Sequence, residues 1–144
     1  IRPSKMNYET LNIFEYNGYL TGKITVSKQP YSDTDFQKIK NWKADIIVSM
    51  TNTEEFETYD FAIKVSNYSL HWLHVAVTNF YNPNNSFNEI ILRLSNILNR
   101  NERILIDCKA RQTRSGMMAM RLLVEQGEKL SLALRRIQNF TPWQ

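Results

Sequence analysis

The stretch ILIDCKARQTRSGMMAM, residues 104–120, decides how the chain is read. Its opening, ILI, is an apolar run of the kind that parallel sheets bury on both faces. Its end, SGMMAM, continues into RLLVEQ and reads as a helix stopped by Gly127. Between strand and helix sits Cys108, the only cysteine of the chain, with Asp107 before it and Lys109, Arg111 and Arg114 after it. The expected strand ends at Asp107 and the expected helix starts near Arg114 or Ser115. A loop at that sheet edge, running into a helix N-terminus, is where open α/β folds bind ligands.

Working outward, strands are expected in LNIFEY (11–16), YLTGKITVS (19–27), ADIIVSM (44–50), DFAIKV (60–65), LHWLHVAV (70–77) and RILID (103–107). DTDFQKIKNW (33–42) reads as a short helix capped by Asp33 or Asp35, with Phe36, Ile39 and Trp42 on its apolar face. Phe87, Ile90, Ile91, Leu94, Ile97 and Leu98 recur at helical spacing behind Asn85 or Ser86 as cap. SLALRRIQNF (131–140) reads as a last helix, closed by Thr141-Pro142. Strand followed by helix, more than once, implies an α/β domain with a mostly parallel sheet and helices on both faces. No linker divides the chain, so residues 1–144 are expected to form one domain.

The composition narrows the function classes. The aromatic and branched apolar content is that of a globule rather than a disordered chain. No apolar run has the length of a membrane span, and the first residues lack the h-region of a secretory signal. One cysteine excludes an intrachain disulfide framework and any multi-cysteine metal site, and fits a reducing, intracellular compartment. His71 and His74, the only histidines, stand without carboxylate spacing that would suggest a metal and read as packing or surface residues. A net charge of +4 allows acidic or phosphorylated partners and proves none.

By itself a lone cysteine reads as a small buried hydrophobe. The order strand, Cys108, five residues, Arg114, Ser115, helix shifts that reading to an anion-binding loop. If the loop of Lys109, Ala110, Arg111, Gln112 and Thr113 curls, its amides form a nest for a tetrahedral oxyanion. Arg114 then clamps two oxygens as a fork. Cys108 lies beneath the phosphorus, its thiolate stabilised by the same amides, and Ser115 donates to that thiolate or helps release it.

At this point the chain resembles the cysteine-dependent protein phosphatases, in particular their compact dual-specificity branch. That signature is His-Cys, five residues, Arg, then Ser or Thr, usually with Gly third after the Cys. Here it stands as DCKARQTRSG, matching at Cys108, Lys109, Ala110, Arg114, Ser115 and Gly116. DFQKIKNWKADIIVSMTNTEEF, LHWLHVAVTNFYNP and GEKLSLALRRIQNFTP resemble the family's flanking segments, so the likeness spans nearly the whole chain. It implies a two-step reaction. The thiolate attacks phosphorus while a loop Asp protonates the leaving oxygen. The same Asp then activates the water that hydrolyses the thiophosphate. No metal and no cofactor is implied.

Three departures bear on turnover. Asn79 occupies the place of the general acid, and an amide carries no catalytic proton; such help is worth roughly 10²–10⁴-fold. Asp60, Asp33 and, closer, Glu89 are other carboxylates to weigh. Asp107 replaces His and has the wrong sign beside a thiolate, unless its side chain points to the other face of the strand and holds the loop in shape. Arg111 replaces Gly and either deforms the cradle or adds a cation at its mouth, with Lys109 as a rim charge. Tyr81 either stacks on a substrate phenyl ring or is a plain loop aromatic. Met117, Met118 and Met120 read as core packing.

Two readings therefore stand. One is a slow or atypical phosphatase of phosphotyrosine, or of phosphotyrosine and phosphoserine/threonine, in a protein or peptide. The other is a pseudophosphatase that binds phosphorylated partners without efficient turnover. A phosphoinositide or an RNA 5′ phosphate is favoured only by net charge.

Overall fold

The computed structural model describes residues 11, 14–17, 22–51, 60–75, 85–108 and 113–140. The chain runs β1 (Phe14–Asn17), β2 (Lys23–Lys28), α1 (Asp33–Trp42), β3 (Ile46–Ser49), α2 (Phe61–Asn67), β4 (Trp72–His74), α3 (Asn85–Asn99), β5 (Arg103–Cys108), α4 (Thr113–Glu125) and α5 (Leu130–Phe140). The five strands form one sheet in the order β1-β2-β5-β3-β4. β2, β5, β3 and β4 are parallel and β1 is an antiparallel edge. The expected α/β class, with helices on both faces of a mostly parallel sheet, is the one found.

The connections set the layers. From β2 through β3 to β4 the chain moves toward one edge, leaving a gap between β2 and β3. From β4 to β5 it returns and fills that gap. Because crossovers between parallel strands share one hand, reversing direction moves the connecting helix to the other face. Accordingly Phe36 and Ile39 of α1 and Phe61 and Val65 of α2 pack with Ile47 and Leu105 on one face. On the other, α3, α4 and α5 cover Ile24, Val26, Val48, Ile104, Ile106 and Cys108. β5, flanked on both sides, is wholly buried from Ile104 to Cys108.

Local chemistry corrects several expectations. α1 is capped by Ser32, not by Asp33 or Asp35. Asp35 is instead the return arm of a capping box: its Oδ2 accepts from the Ser32 and Tyr31 N–H groups, while the Ser32 hydroxyl accepts from the Asp35 N–H at 3.1 Å. The segment DFAIKV is not a strand but the start of α2. Phe61 and Val65, four apart, share one helix face; Phe61 meets Phe36 edge-on at 5.6 Å and Trp72 at 5.0 Å. That aromatic packing outweighs the modest strand preference of a short run. Finally, β5 extends through Cys108, because β2 pairs with it to the end and places Lys28 beside the cysteine. Asn85 and Ser86 lie inside α3 rather than ahead of it. Trp42 is half-buried against the α1 cluster, and Met118 and Met120 pack in the core as expected.

Candidate active site

Parallel strands deliver all their C-terminal ends to one sheet edge, and β5 reaches that edge at its centre. Both neighbours hold it there. The Gln29 N–H donates to the Cys108 carbonyl at 3.0 Å and the Met50 N–H donates to the Asp107 carbonyl at 2.8 Å. Side chains alternate along the strand. Ile104, Ile106 and Cys108 therefore face α3, α4 and α5, while Leu105 and Asp107 face α1 and α2.

The first turn of α4 brings the other two residues. Ser115 is fully buried, and its hydroxyl oxygen lies 3.3 Å from Cys108 Sγ. One turn of helix thus closes back on the last residue of the strand. Arg114 Nη1 donates to the Met50 carbonyl at 2.7 Å, which anchors the guanidinium at the end of β3. Thr113 opens α4, one residue ahead of Arg114, the earlier of the two expected starts. Lys109, Ala110, Arg111 and Gln112 of the expected cradle, and Asn79 and Tyr81 of the expected acid loop, lie outside the described residues.

The electrostatics of the thiol differ from the expected low-pKa nucleophile. Burial pushes the Cys108 thiol up, Ser115 hydrogen bonds pull it down, Asp107 raises it and Arg114 lowers it; the net direction is upward. Burial dominates because the sulfur is packed in the apolar cluster of α3, α4 and α5.

Asp107 does point away from the thiol. Its Oδ2 accepts from the Ser49 hydroxyl at 2.8 Å, and Ser49 in turn accepts from Trp72 Nε1 at 2.9 Å. The carboxyl is fully buried, Oδ1 has no hydrogen-bond partner among the described residues, and burial raises its pKa to about 8. At neutral pH it is thus largely a neutral acid, so the expected like-charge penalty on Cys108 is muted there. Ser49 and Trp72 escaped the sequence reading. The available signal was the serine closing the buried run IIVS, a polar residue where strand alternation demands an inward side chain.

The other carboxylates weighed as an acid stand at the surface. Asp33 is exposed, and its hydrogen bond to Lys64 holds it below the usual carboxylate range. Asp60 is exposed at the N-cap of α2, and Glu89 is exposed on α3. His71 is exposed; His74 stacks on Trp72 at 5.8 Å and donates from Nε2 to the Thr51 carbonyl. Among the described residues no group of three His, Cys, Asp or Glu is placed to hold a metal, and no helix is long and apolar enough to cross a membrane.

No protein-family model matches the chain, and no curated protein matches it in sequence. Solved structures do resemble it. The kinase associated phosphatase KAP, with its catalytic cysteine substituted by serine, superposes with a TM-score of 0.78 at 15% identity, covering 92% of this chain and 84% of that one. Tk-PTP in its active form gives 0.68 at 20% identity, with 86% and 83% covered. PTPMT1 in complex with PI(5)P gives 0.68 at 10% identity, with 90% and 88% covered. At such identities the likeness is one of fold: the chain has the fold of the protein tyrosine and dual-specificity phosphatases, and its Cys108-to-Arg114 spacing matches the Cys-x5-Arg pattern.

Proposed function

We propose that residues 1–144 form a single phosphatase-type domain that hydrolyses phosphate monoesters through a cysteinyl-phosphate intermediate, slowly, on protein or peptide bearing phosphotyrosine, or both phosphotyrosine and phosphoserine/threonine. The observation that carries this reading is the contact between Cys108 and Ser115 at the C-terminal edge of the central strand, with Arg114 in the same helical turn. In the first step the Cys108 thiolate forms an S–P bond, the ester P–O bond breaks, and the leaving oxygen keeps the electron pair and takes a proton from solvent. In the second, a water oxygen attacks phosphorus and gives up a proton to solvent, the S–P bond breaks with its electron pair returning to sulfur, and inorganic phosphate leaves. Arg114 holds two non-bridging oxygens through both steps, Ser115 stabilises the sulfur as it departs, and the amides of Lys109, Ala110, Arg111, Gln112 and Thr113 cradle the remaining charge. Asn79 carries no proton to give, so poor leaving groups suffer most. Tyr81 stacks on the phenyl ring of a phosphotyrosine. No metal or cofactor takes part.

A second reading, a pseudophosphatase that binds phosphorylated partners without efficient turnover, is favoured by the upward push on the Cys108 thiol, which leaves little thiolate at neutral pH. A lone free cysteine suits a reducing, intracellular setting for either. The PTPMT1 likeness keeps a phosphoinositide as a lesser substrate class, and net charge alone keeps an RNA 5′ phosphate.

Turnover of an activated aryl phosphate and of a phosphotyrosine peptide, each measured beside Cys108→Ser, separates the two. Activity lost in Cys108→Ser supports the enzyme. Equal inertness of both proteins, with both binding the peptide, supports the binder.

A further inference from the structure

One residue before the thiol, a polar rung crosses the four parallel strands. Ser27 of β2, Asp107 of β5, Ser49 of β3 and His74 of β4 stand side by side in register. Below them on the same face the packing is apolar, with Phe36, Ile39, Ile47, Phe61 and Leu105. The donors of the rung are nearly all committed elsewhere. The Ser27 hydroxyl donates to the Lys28 carbonyl at 2.9 Å, and His74 donates to the Thr51 carbonyl. Trp72 Nε1 occupies the acceptor side of Ser49, so the single Ser49 proton is directed to Asp107 Oδ2. Among the described residues Asp107 Oδ1 has no hydrogen-bond partner.

Among the described residues the nearby charges are also engaged. Lys28 on β2 pairs with Asp35 of α1 at 3.4 Å. Arg114 of α4 donates to the Met50 carbonyl, and Lys64 of α2 pairs with Asp33 at the surface. His74 of β4 is the other titratable side chain of the rung, and Cys108 adjoins Asp107 on β5 itself. A carboxyl with one hydrogen-bond donor, no ion-pair partner among the described residues and no solvent retains its proton at neutral pH.

We propose that Asp107 is a positioning residue for the Cys108 site: as a neutral acid it ties the end of β5 to β3 and β4 through Ser49 and Trp72, and once ionised it opposes the Cys108 thiolate from the far face of the sheet. The proposal rests on Cys108 being the reactive thiol and not on turnover. Two adjacent groups that each become negative titrate as a pair, and the second charge is harder to form than the first. Thiolate formation is therefore held back in the alkaline range, where an isolated thiol would complete its titration. This makes the residue before the cysteine a determinant of the upper pH limit of the site.

Cys108 is the sole cysteine, so its alkylation by iodoacetamide reports one site. The rate is measured in the intact protein from about pH 6 to about pH 10, for wild type and Asp107→Asn. The amide keeps an acceptor for Ser49 and cannot ionise. The two profiles are expected to run together at the acid end and to separate above about pH 8, where the variant is faster by about ten-fold. Profiles that coincide throughout, or that differ by one constant factor, overturn the proposal. Infrared spectroscopy of the wild type decides it independently should the variant fail to fold. A protonated carboxyl stretch persisting at about pH 7 and fading through about pH 8 is expected, since ordinary carboxyls are ionised there. Its absence at neutral pH overturns the proposal. A protein that shows both signals yet hydrolyses no phosphate ester would fail the phosphatase reading and leave this one standing.

Discussion

The Ser115 hydroxyl oxygen sits 3.3 Å from Cys108 Sγ, joining the last residue of the central strand to the first turn of α4. Either atom can donate when the sulfur is protonated. When it is ionised, only the hydroxyl can, so the contact favours the thiolate against the burial that opposes it. Ser115→Ala is expected to slow Cys108 alkylation near neutral pH by about ten-fold, the worth of one hydrogen bond to a charged group. Ser115→Thr, which keeps the hydroxyl, should restore most of the rate. Unchanged alkylation in Ser115→Ala would mean that the contact does not support the thiolate.

Arg114 is fixed by its bond to the Met50 carbonyl, which leaves the orientation of its planar fork set by the end of β3. Arg114→Lys retains the charge and loses the fork. Tungstate or phosphate affinity, read by calorimetry, should fall by about ten- to a hundred-fold, with little change in thermal midpoint. An unchanged affinity would show that the guanidinium does not contact the oxyanion.

The buried Asp107 also marks the pH dependence of stability. Its pKa is raised from 3.8 to about 8 in the folded protein, so the folded state holds a proton that the unfolded state releases. The stability linked to that proton is full below about pH 4 and is lost progressively as the pH rises toward about 8. Asp107→Asn removes this loss. In urea titrations, the stability of the variant relative to wild type should increase from about pH 4 to about pH 8 and level off above it. A difference that is constant with pH would contradict a buried neutral acid.

Gly22 lies at the start of β2 with φ +75, and a Cβ there would come within 2.6 Å of the Leu98 carbonyl oxygen and 2.9 Å of that of Glu102. Both obstacles are backbone at the end of α3 and the start of β5. Gly22→Ala should cost about 1–3 kcal/mol and lower the thermal midpoint by about 3–10 °C. The functional edge, at the other end of these strands, should be unaffected in the variant that remains folded. A neutral substitution would show that this corner yields easily.

Much of this architecture was legible because its signals are local. The uninterrupted apolar letters of RILID and ADIIVSM mark strands buried on both faces. The spacing from Phe87 to Leu98 marks α3, and Gly127, at φ 105, ends α4 where a left-handed residue was expected. DFAIKV misled because six residues with alternating apolar letters fit either period, and the deciding partners, Phe36 and Trp72, are distant in sequence. The Ser32 cap was hidden by the acids beside it, either of which suits a helix start. At the site, the spacing from Cys108 to Ser115 announced the contact between them. The raised thiol and the neutral Asp107 were not legible, because both follow from depth of burial and from Ser49 on a neighbouring strand.

The central claim is that the Cys108 sulfur attacks phosphorus. Rapid mixing with a phosphate-labelled activated aryl ester, followed by a denaturing quench near neutral pH and peptide mapping, tests it directly. Label is expected on the peptide that contains Cys108, appearing with the first turnover, enriched in Ser115→Ala and absent in Cys108→Ser. Ester hydrolysis without labelled Cys108, at equal rates in wild type and Cys108→Ser, would contradict it.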